Sequence, residues 1–328
     1  MAARTRDEVG ATNPAPPPRP GGQVCAVVVT YHPPVAVVAN IEAIRRQVDR
    51  LWVIDNSASP AARAVLAPLG GLPGVALVFN AENRGIAAAL NQGVELGLTA
   101  GFDWIATFDQ DSAVPRDFIR GLLDGLAAFP ARARVALVAP LYRDRSLGFV
   151  YSASGPVEEN SAASKPVSVA AASGNLVSAA VLRALGGFRE DFFVDCVDFE
   201  FCLRCRRAGW LVLEVRAVTL DHAQGHWQQR RWLWKNPRFN DYDAVRRYYQ
   251  ARNRLVMYAR FAGVDPRWLL RDAWGYACDG AKLLLFCEDR WLKVQAMATG
   301  GWHALTGRRG RWQPAARFVR ASAATAAP

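Results

Sequence analysis

Asp109 and Asp111 are the first side chains in this sequence that could act together. They lie in Thr107-Phe-Asp-Gln-Asp-Ser112, after the largely apolar Asp103-Trp-Ile-Ala106 and before Val114-Pro115. Their i, i+2 spacing just past a buried strand lets a turn aim both carboxylates at one point. Two hard oxygen donors on one point suit Mg²⁺ or Mn²⁺, whose other ligands would be waters and substrate phosphates. A solvated acidic turn is the competing reading. A second acidic group, Asp195, Asp198 and Glu200, precedes Cys202-Leu-Arg-Cys-Arg-Arg207 and reads as a loop entering a helix that ends near Gly209. Capping and the helix dipole also favour carboxylates there. His222 follows strand-like runs at 211–215 and 218–220, and a neutral imidazole is a common ligand for a divalent ion.

The elements that would position these groups alternate regularly. Val24–Thr30 is a continuous apolar run, as in a strand buried on both faces. A helix is expected from Pro33-Pro34 to about Val48, a strand over 51–54, a short helix over 60–69 and a strand over 75–79. Asn83-Arg-Gly85 reads as a turn, followed by a helix over 86–98 and a strand over 104–108, with a further helix over 116–129. Strand alternating with helix at this spacing predicts a parallel, Rossmann-like sheet flanked by helices, with ligands outside the carboxyl ends of its strands. Thr30-Tyr31, Asp55-Asn56, Asn83-Arg84 and Asp109/Asp111 all fall at those ends. Neither Gly-x-Gly-x-x-Gly after the first strand nor Gly-x-x-x-x-Gly-Lys-[Ser/Thr] occurs, so a dinucleotide site and a P-loop are both disfavoured.

The chain has 328 residues, 51% of them hydrophobic and 21% charged, a globular balance. Its formal charge of +11 is uneven: residues 1–200 hold 17 Lys+Arg and 20 Asp+Glu, whereas residues 201–328 hold 23 and 9. The back half is therefore expected to meet something anionic: a membrane surface, a phosphorylated substrate or nucleic acid. Cys202 and Cys205 lack the second pair a zinc ribbon needs, and the six cysteines read as free thiols in a reducing compartment. Residues 1–22 are proline-rich and read as a disordered leader without a signal-peptide core. No run reaches about eighteen apolar residues, so no transmembrane helix is expected. The reading is a cytoplasmic protein, with peripheral attachment to the inner face of the cytoplasmic membrane as an option.

Val28-Val-Thr-Tyr31, Asp55-Asn56, Asn83-Arg-Gly-Ile-Ala-Ala-Ala-Leu-Asn-Gln-Gly93 and Thr107–Ser112 together resemble inverting family 2 glycosyltransferases of the GT-A fold, and more narrowly the bacterial rhamnosyltransferase group. Ala172-Ser-Gly-Asn-Leu176, Gly186-Gly-Phe188, the stretch Phe193–Arg204, Asp221-His222 and Tyr248-Tyr249 with Arg252-Asn253 extend the likeness, which covers roughly residues 23–310. The resemblance implies that Thr30, Tyr31 and Asp55 hold the base and ribose of a nucleotide-sugar, with Asn83 and Arg84 near the ribose and diphosphate. It implies Asp111 as the main metal carboxylate, Asp109 close behind or on the donor, and His222 completing the set around Mg²⁺ or Mn²⁺. Inverting transfer to a hydroxyl needs a carboxylate base, since an alcohol is nearly un-ionised at neutral pH. By analogy that base is Asp198, with Glu200 in support and Asp195 as the alternative. Gly174 and Asn175 would begin the acceptor side, and Arg252 could reach the diphosphate.

The expected organisation is a leader over 1–22 and a catalytic domain over 23–225, with its nucleotide-sugar half at 23–112 and its acceptor half at 113–225. A basic, Trp-rich loop and helical extension follow over 226–310, then a tail over 311–328. Trp and Arg residues crowd 224–240, which suits a membrane-interface or acceptor-binding loop. Helices are expected over 242–262, 266–286 and 289–305. The function implied is transfer of a sugar, most simply L-rhamnose from dTDP-L-rhamnose, to a lipid-linked or polysaccharide acceptor for cell-surface glycan synthesis. Other UDP-, GDP- or dTDP-sugars fit the same motifs. A non-catalytic nucleotide-sugar-binding module or a nucleic-acid-binding protein is the reading from another class, and no nucleic-acid motif accompanies the basic stretches.

Overall fold

Strand β1, Val24–Thr30, is buried at all seven positions and sits inside a parallel group. It pairs with β2 (Arg50–Asp55) on one side and β4 (Trp104–Asp109) on the other, and β3 (Val75–Phe79) adds to β2. The computed structural model describes residues 21–145, 148–157, 163–222, 227–229, 238–316 and 318; at 222, 227, 229 and 238 it describes the backbone only. Residues 1–20 of the expected leader, most of the Trp- and Arg-rich stretch and the end of the tail lie outside the described residues.

The apolar run of β1 follows from coverage on both faces. Cys25, Val27 and Val29 enter one core with Ala87, Leu90 and Val94 of α3 (Ile86–Thr99). Val24, Ala26 and Val28 enter the other, with Val37, Ile41 and Ile44 of α1 (Val37–Arg45) and Leu122 and Leu126 of α4 (Phe118–Ala128). Helix α1 starts after Pro33-Pro34 rather than at it. The helix expected over 60–69 is α2 (Pro60–Leu66), continued by a 3₁₀ turn over Ala67–Gly71.

Beyond β4 the sheet is mixed, with antiparallel neighbours around one long parallel pairing. Strand β5 (Val135–Asp144), with the short β6 (Val150–Tyr151), β7 (Ser164–Val167) and β8 (Asn175–Ser178), was not anticipated from the sequence. Strand β8 has only four residues, and it is buried because it lies between β4 and β5. The strand-like runs at 211–215 and 218–220 are one strand, β9 (Leu211–His222), whose pairing with β5 shifts register after Pro140. The sheet order is β3-β2-β1-β4-β8-β5-β9-β7, with β6 on β5. Helices α5 (Ala179–Leu185) and α6 (Val197–Arg207) belong to this half. A separate strand pair, β10 (Trp227–Gln229) and β11 (Arg238–Asn240), leads to α7 (Ala244–Phe261), α8 (Pro266–Phe286) and α9 (Arg290–Leu305). The six cysteines are free thiols. Among the described residues no helix is long and apolar enough to cross a membrane.

Helix α3 lies unusually close to β1 because Gly93 carries no side chain. A Cβ there would come within 2.3 Å of Val27 Cγ1. Gly93→Ala should destabilise the fold by about 1–3 kcal/mol through overpacking. Gly71→Ala, with nothing within 4 Å of the added carbon, should be near neutral. Urea denaturation of the two variants checks the contrast.

Candidate active site

The parallel strands deliver Thr30, Asp55 and Asp109 to one edge of the sheet, with Thr30 level with Asp55 and Val29 level with Asp109. Thr30 is fully buried and its hydroxyl donates to Asp55 Oδ1 at 2.9 Å. Ser57 adds a hydroxyl donor at 2.7 Å and a backbone N–H at 3.2 Å to the same carboxylate. These donors fix Asp55 at the strand end. Beside it, Asn56 donates to Gly85 O and accepts from Asn80, which also exchanges amide bonds with Gln92. This amide network positions the Asn83-Arg-Gly85 turn, in which Asn83 Oδ1 accepts the Gly85 N–H at 2.9 Å. Arg84 is exposed and makes no ion pair among the described residues.

The acidic turn is fastened to β1 by a residue the sequence reading passed over. Gln110 Oε1 accepts the Tyr31 N–H at 2.8 Å, and Gln110 O accepts from Asn40 Nδ2 at 3.0 Å. On the other side Asp109 N donates to Ser173 Oγ at 3.2 Å, and Ser173 Oγ meets Ser112 Oγ at 2.5 Å. Asp109 and Asp111 are both partly exposed, and Tyr31 is exposed beside them.

Asp198 reaches the same cleft from the first turn of α6. Its Oδ2 accepts the Ala172 N–H at 3.2 Å and its Oδ1 the Phe199 N–H at 2.9 Å. Ala172 O in turn accepts from Thr107 Oγ1 at 2.6 Å. The segment 172–173 therefore ties Asp198 to the end of β4, two residues from Asp109. Burial pushes the Asp198 carboxyl up to about 6 against those two N–H groups, and nearby Asp195 and Asp109 add to the rise. The residue as a whole is only partly buried.

Strand β9 brings its end to the acidic turn. Ala113 and Asp221 exchange backbone hydrogen bonds of 3.0 and 3.2 Å, so position 222 lies beside a turn that ends at Ser112. The His222 side chain is outside the described residues, and among those described no cluster of three metal-ligating side chains occurs. The donor set still fits a hard divalent cation: two carboxylates at i, i+2, with a histidine position delivered next to them by β9. Tyr151, absent from the sequence reading, also faces this group. Burial raises its phenol, and the carboxylates of Asp144, Asp111 and Asp109 raise it further.

Residues 25–155 match the model of glycosyl transferase family 2. This stretch is a family 2 glycosyltransferase domain. The chain is 29% identical over 245 residues, 71% of this chain and 79% of the other, to a protein of Shigella flexneri named dTDP-rhamnosyl transferase RfbF. Its fold is like that of S. aureus TarS 1-349 in complex with UDP-GlcNAc, with a TM-score of 0.56, 11% identity and coverage of 85% of this chain and 80% of that one. Mannosyltransferase PcManGT of Pyrobaculum calidifontis, in complex with GDP-Man and Mn²⁺, gives 0.52 at 17% identity, covering 96% and 83%. GalNAc-T7 with UDP, GalNAc and Mn²⁺ gives 0.52 at 13% identity, and there the chain covers 62% of itself but 44% of that structure. The mixed sheet flanked by helices is the GT-A fold expected from the resemblance.

Within this glycosyltransferase several expected site residues have other work. Glu200 is buried and paired with Arg204 at 3.0 Å, and Arg204 also holds the carbonyls of Leu185 and Gly187. It anchors α6 to the Gly186-Gly187 turn and does not support Asp198. Gly174 is buried at φ +79°, and a Cβ there would meet Leu220 Cδ2 at 2.8 Å. Asn175 is buried on Ala171 O. Both serve packing rather than acceptor contact. Arg252 has no exposed surface: it donates to the carbonyls of Gly310, Asp191 and Phe192, so it cannot reach a diphosphate. Asp195 pairs with Arg246 at 3.1 Å beside the Asp198 cleft. Gln110, Asn40 and Tyr151 carried no signal because each is polar or aromatic in a setting where solvent exposure or core packing is the default.

The Asp198 value sets a pH dependence. If Asp198 is the general base, it works deprotonated, and kcat/KM should rise with pH through about 6 and level off above it. An initial-rate pH profile checks this. Asn253 shares the carbonyls of the 192–195 loop with Arg252. Asn253→Ala and Arg252→Met should each cost about 1–3 kcal/mol of stability by orphaning buried carbonyls. If Arg252→Met instead kept full stability and lost donor affinity, the diphosphate role would return. Denaturant melts and donor titrations separate the two outcomes.

Proposed function

We propose that the chain transfers L-rhamnose from a dTDP-linked donor to a hydroxyl of a lipid-linked or polysaccharide acceptor, with inversion at the anomeric carbon. The observation that carries the chemistry is Asp198: a half-buried carboxyl with its pKa near 6, tied through Ala172-Ser173 to the strand end that presents Asp109. The likeness to a dTDP-rhamnosyl transferase supports the choice of donor. Residues 23–112 would bind the donor, with Thr30, Tyr31 and Asp55 around base and ribose and Asn83 and Arg84 toward the diphosphate. Arg84 suits that place because a guanidinium grips phosphate oxygens in pairs. Residues 113–225 would present the acceptor.

Asp198 takes the proton from the acceptor hydroxyl as its oxygen bonds to the anomeric carbon. The bond from that carbon to the phosphate oxygen breaks on the opposite face, and the electron pair leaves with the nucleoside diphosphate. Asp111, Asp109 and His222 would hold Mg²⁺ or Mn²⁺, which when bound supplies positive charge to the departing diphosphate. The Mn²⁺ in two structural neighbours supports a divalent ion. Because neighbours carry UDP- and GDP-sugars, another nucleotide-sugar is the second reading.

Asp198→Asn should cut kcat by roughly 10²–10⁴-fold while donor affinity stays within about twofold, as expected for a lost general base; a lost donor affinity with intact kcat would remove Asp198 from that role. Product detection over a panel of dTDP-, UDP- and GDP-sugars, with and without excess EDTA, decides donor and metal together. Turnover confined to dTDP-rhamnose and abolished by EDTA is the expected result. Full turnover in EDTA would refute the metal set.

A further inference from the structure

Helix α8 is apolar on two faces, and the core accounts for only one. Trp268, Leu269, Leu283 and Phe286 are its buried side. Leu270, Trp274, Ala277, Ala281, Leu284 and Leu285 recur at i, i+4, i+7, i+11, i+14 and i+15, which is one stripe at 3.6 residues per turn. All six are exposed: Trp274 by 73%, Leu270 by 72%, Leu285 by 59% and Leu284 by 45%. A contiguous exposed stripe of this size marks an interaction surface.

The charges of α8 are sorted around that stripe. Arg267, Arg271 and Lys282 lie along one side of it, whereas Asp272 and Asp279 lie on the far side of the helix, Asp279 within 3.5 Å of Lys282. Asp272 is engaged there by Arg254 and Tyr258, and Asp265 caps the helix at the Trp268 N–H and pairs with Arg206. Glu288 and Asp289 fall beyond the helix, in the turn to α9. Helix α9 carries a similar row, with Trp291, Trp302 and Leu305 exposed by 66%, 64% and 79%, followed by Arg308 and Arg309.

We propose that the exposed face of α8 docks flat on an anionic lipid bilayer, with Trp274 and the leucines at the headgroup–acyl boundary and Arg267 and Lys282 against lipid phosphates. Indole and leucine on one face with cations at its rim is the arrangement that binds such interfaces. Charge complementarity selects the occupant: a second copy would set basic rim against basic rim on a chain of net +11, whereas anionic headgroups neutralise it. Attachment would be peripheral, since no described helix spans a membrane. The inference rests on this face alone and is independent of which sugar is transferred.

The test is co-sedimentation of the full chain with vesicles of phosphatidylcholine alone and of phosphatidylcholine with phosphatidylglycerol, at low and high salt. The expected result is binding to the anionic vesicles, weakened by salt, with a blue-shifted tryptophan emission. The surface variant Trp274→Ser/Leu285→Ser should lower the partition coefficient by at least about tenfold, and Arg267→Glu/Lys282→Glu should flatten its salt dependence. Circular dichroism should show both variants folded. Equal partitioning of wild type and variants, no preference for anionic vesicles, or a dimer in light scattering that Trp274→Ser/Leu285→Ser dissolves without any vesicle binding would each overturn the proposal.

Discussion

The Asp191–Cys196 loop can exist only because α7 supplies donors to its carbonyls. Phe193, Asp195 and Cys196 all have left-handed backbone, with φ of 65°, 62° and 61°, and each such non-glycine residue costs on the order of 1 kcal/mol. Arg252 donates to the carbonyls of Asp191 and Phe192, and Asn253 to those of Phe192, Val194 and Asp195. Phe193 O accepts the Ile86 N–H at 2.8 Å. Every carbonyl from 191 to 195 therefore has a partner. The Arg252 guanidinium is fully buried; besides those oxygens and that of Gly310, it has the faces of Tyr248 and Tyr249 at 5.4 and 4.9 Å. A buried cation held this way is costly to place and more costly to disturb.

That loop couples the two sides of the site. It ends where α6 begins, so it sets the height of Asp198 over the cleft. Its Phe193 also packs against Gly85, where a Cβ would lie 2.6 Å from the Phe193 carbonyl oxygen. The turn that carries Asn83 and Arg84 and the helix that carries Asp198 thus share one rigid piece of backbone. The tail reinforces it: Trp312 stacks on Tyr248, its N–H reaches Tyr249 Oη at 2.7 Å, and Tyr249 stacks on Phe193. The helical extension therefore helps to fix where α6 begins and where Asp198 stands.

The basicity of Asp198 has a mixed origin. Burial and two neighbouring carboxylates disfavour its charge, and two backbone N–H groups restore part of it. Removing the N–H groups would push the carboxyl further upward; removing the burial would leave a weaker base. The same segment that donates one of those N–H groups, Ala172-Ser173, also receives Thr107 and Asp109. Geometry and basicity are adjusted by the same few residues.

The sequence by itself determined the parallel half of the sheet and what stands at its edge. Uninterrupted apolar strands such as Val24–Thr30 can only be buried on both faces, and parallel strands must release Thr30, Asp55 and Asp109 on one side. Asp198 stood out in the sequence only through the family resemblance, and the fold brings it to the end of β4 near Asp109. Tertiary structure alone decided the rest. The assignments of Glu200, Gly174, Asn175 and Arg252 changed because residue type reports a capacity for hydrogen bonding or close approach, not the partner that satisfies it. Arg252 reads as a phosphate ligand in one dimension, and a partner some sixty residues away, the Asp191 carbonyl, makes it a clamp. Strand β8 and the Ala113–Asp221 bridge are likewise products of chain crossing: four residues carry no periodicity of their own, and their burial comes entirely from neighbours distant in sequence.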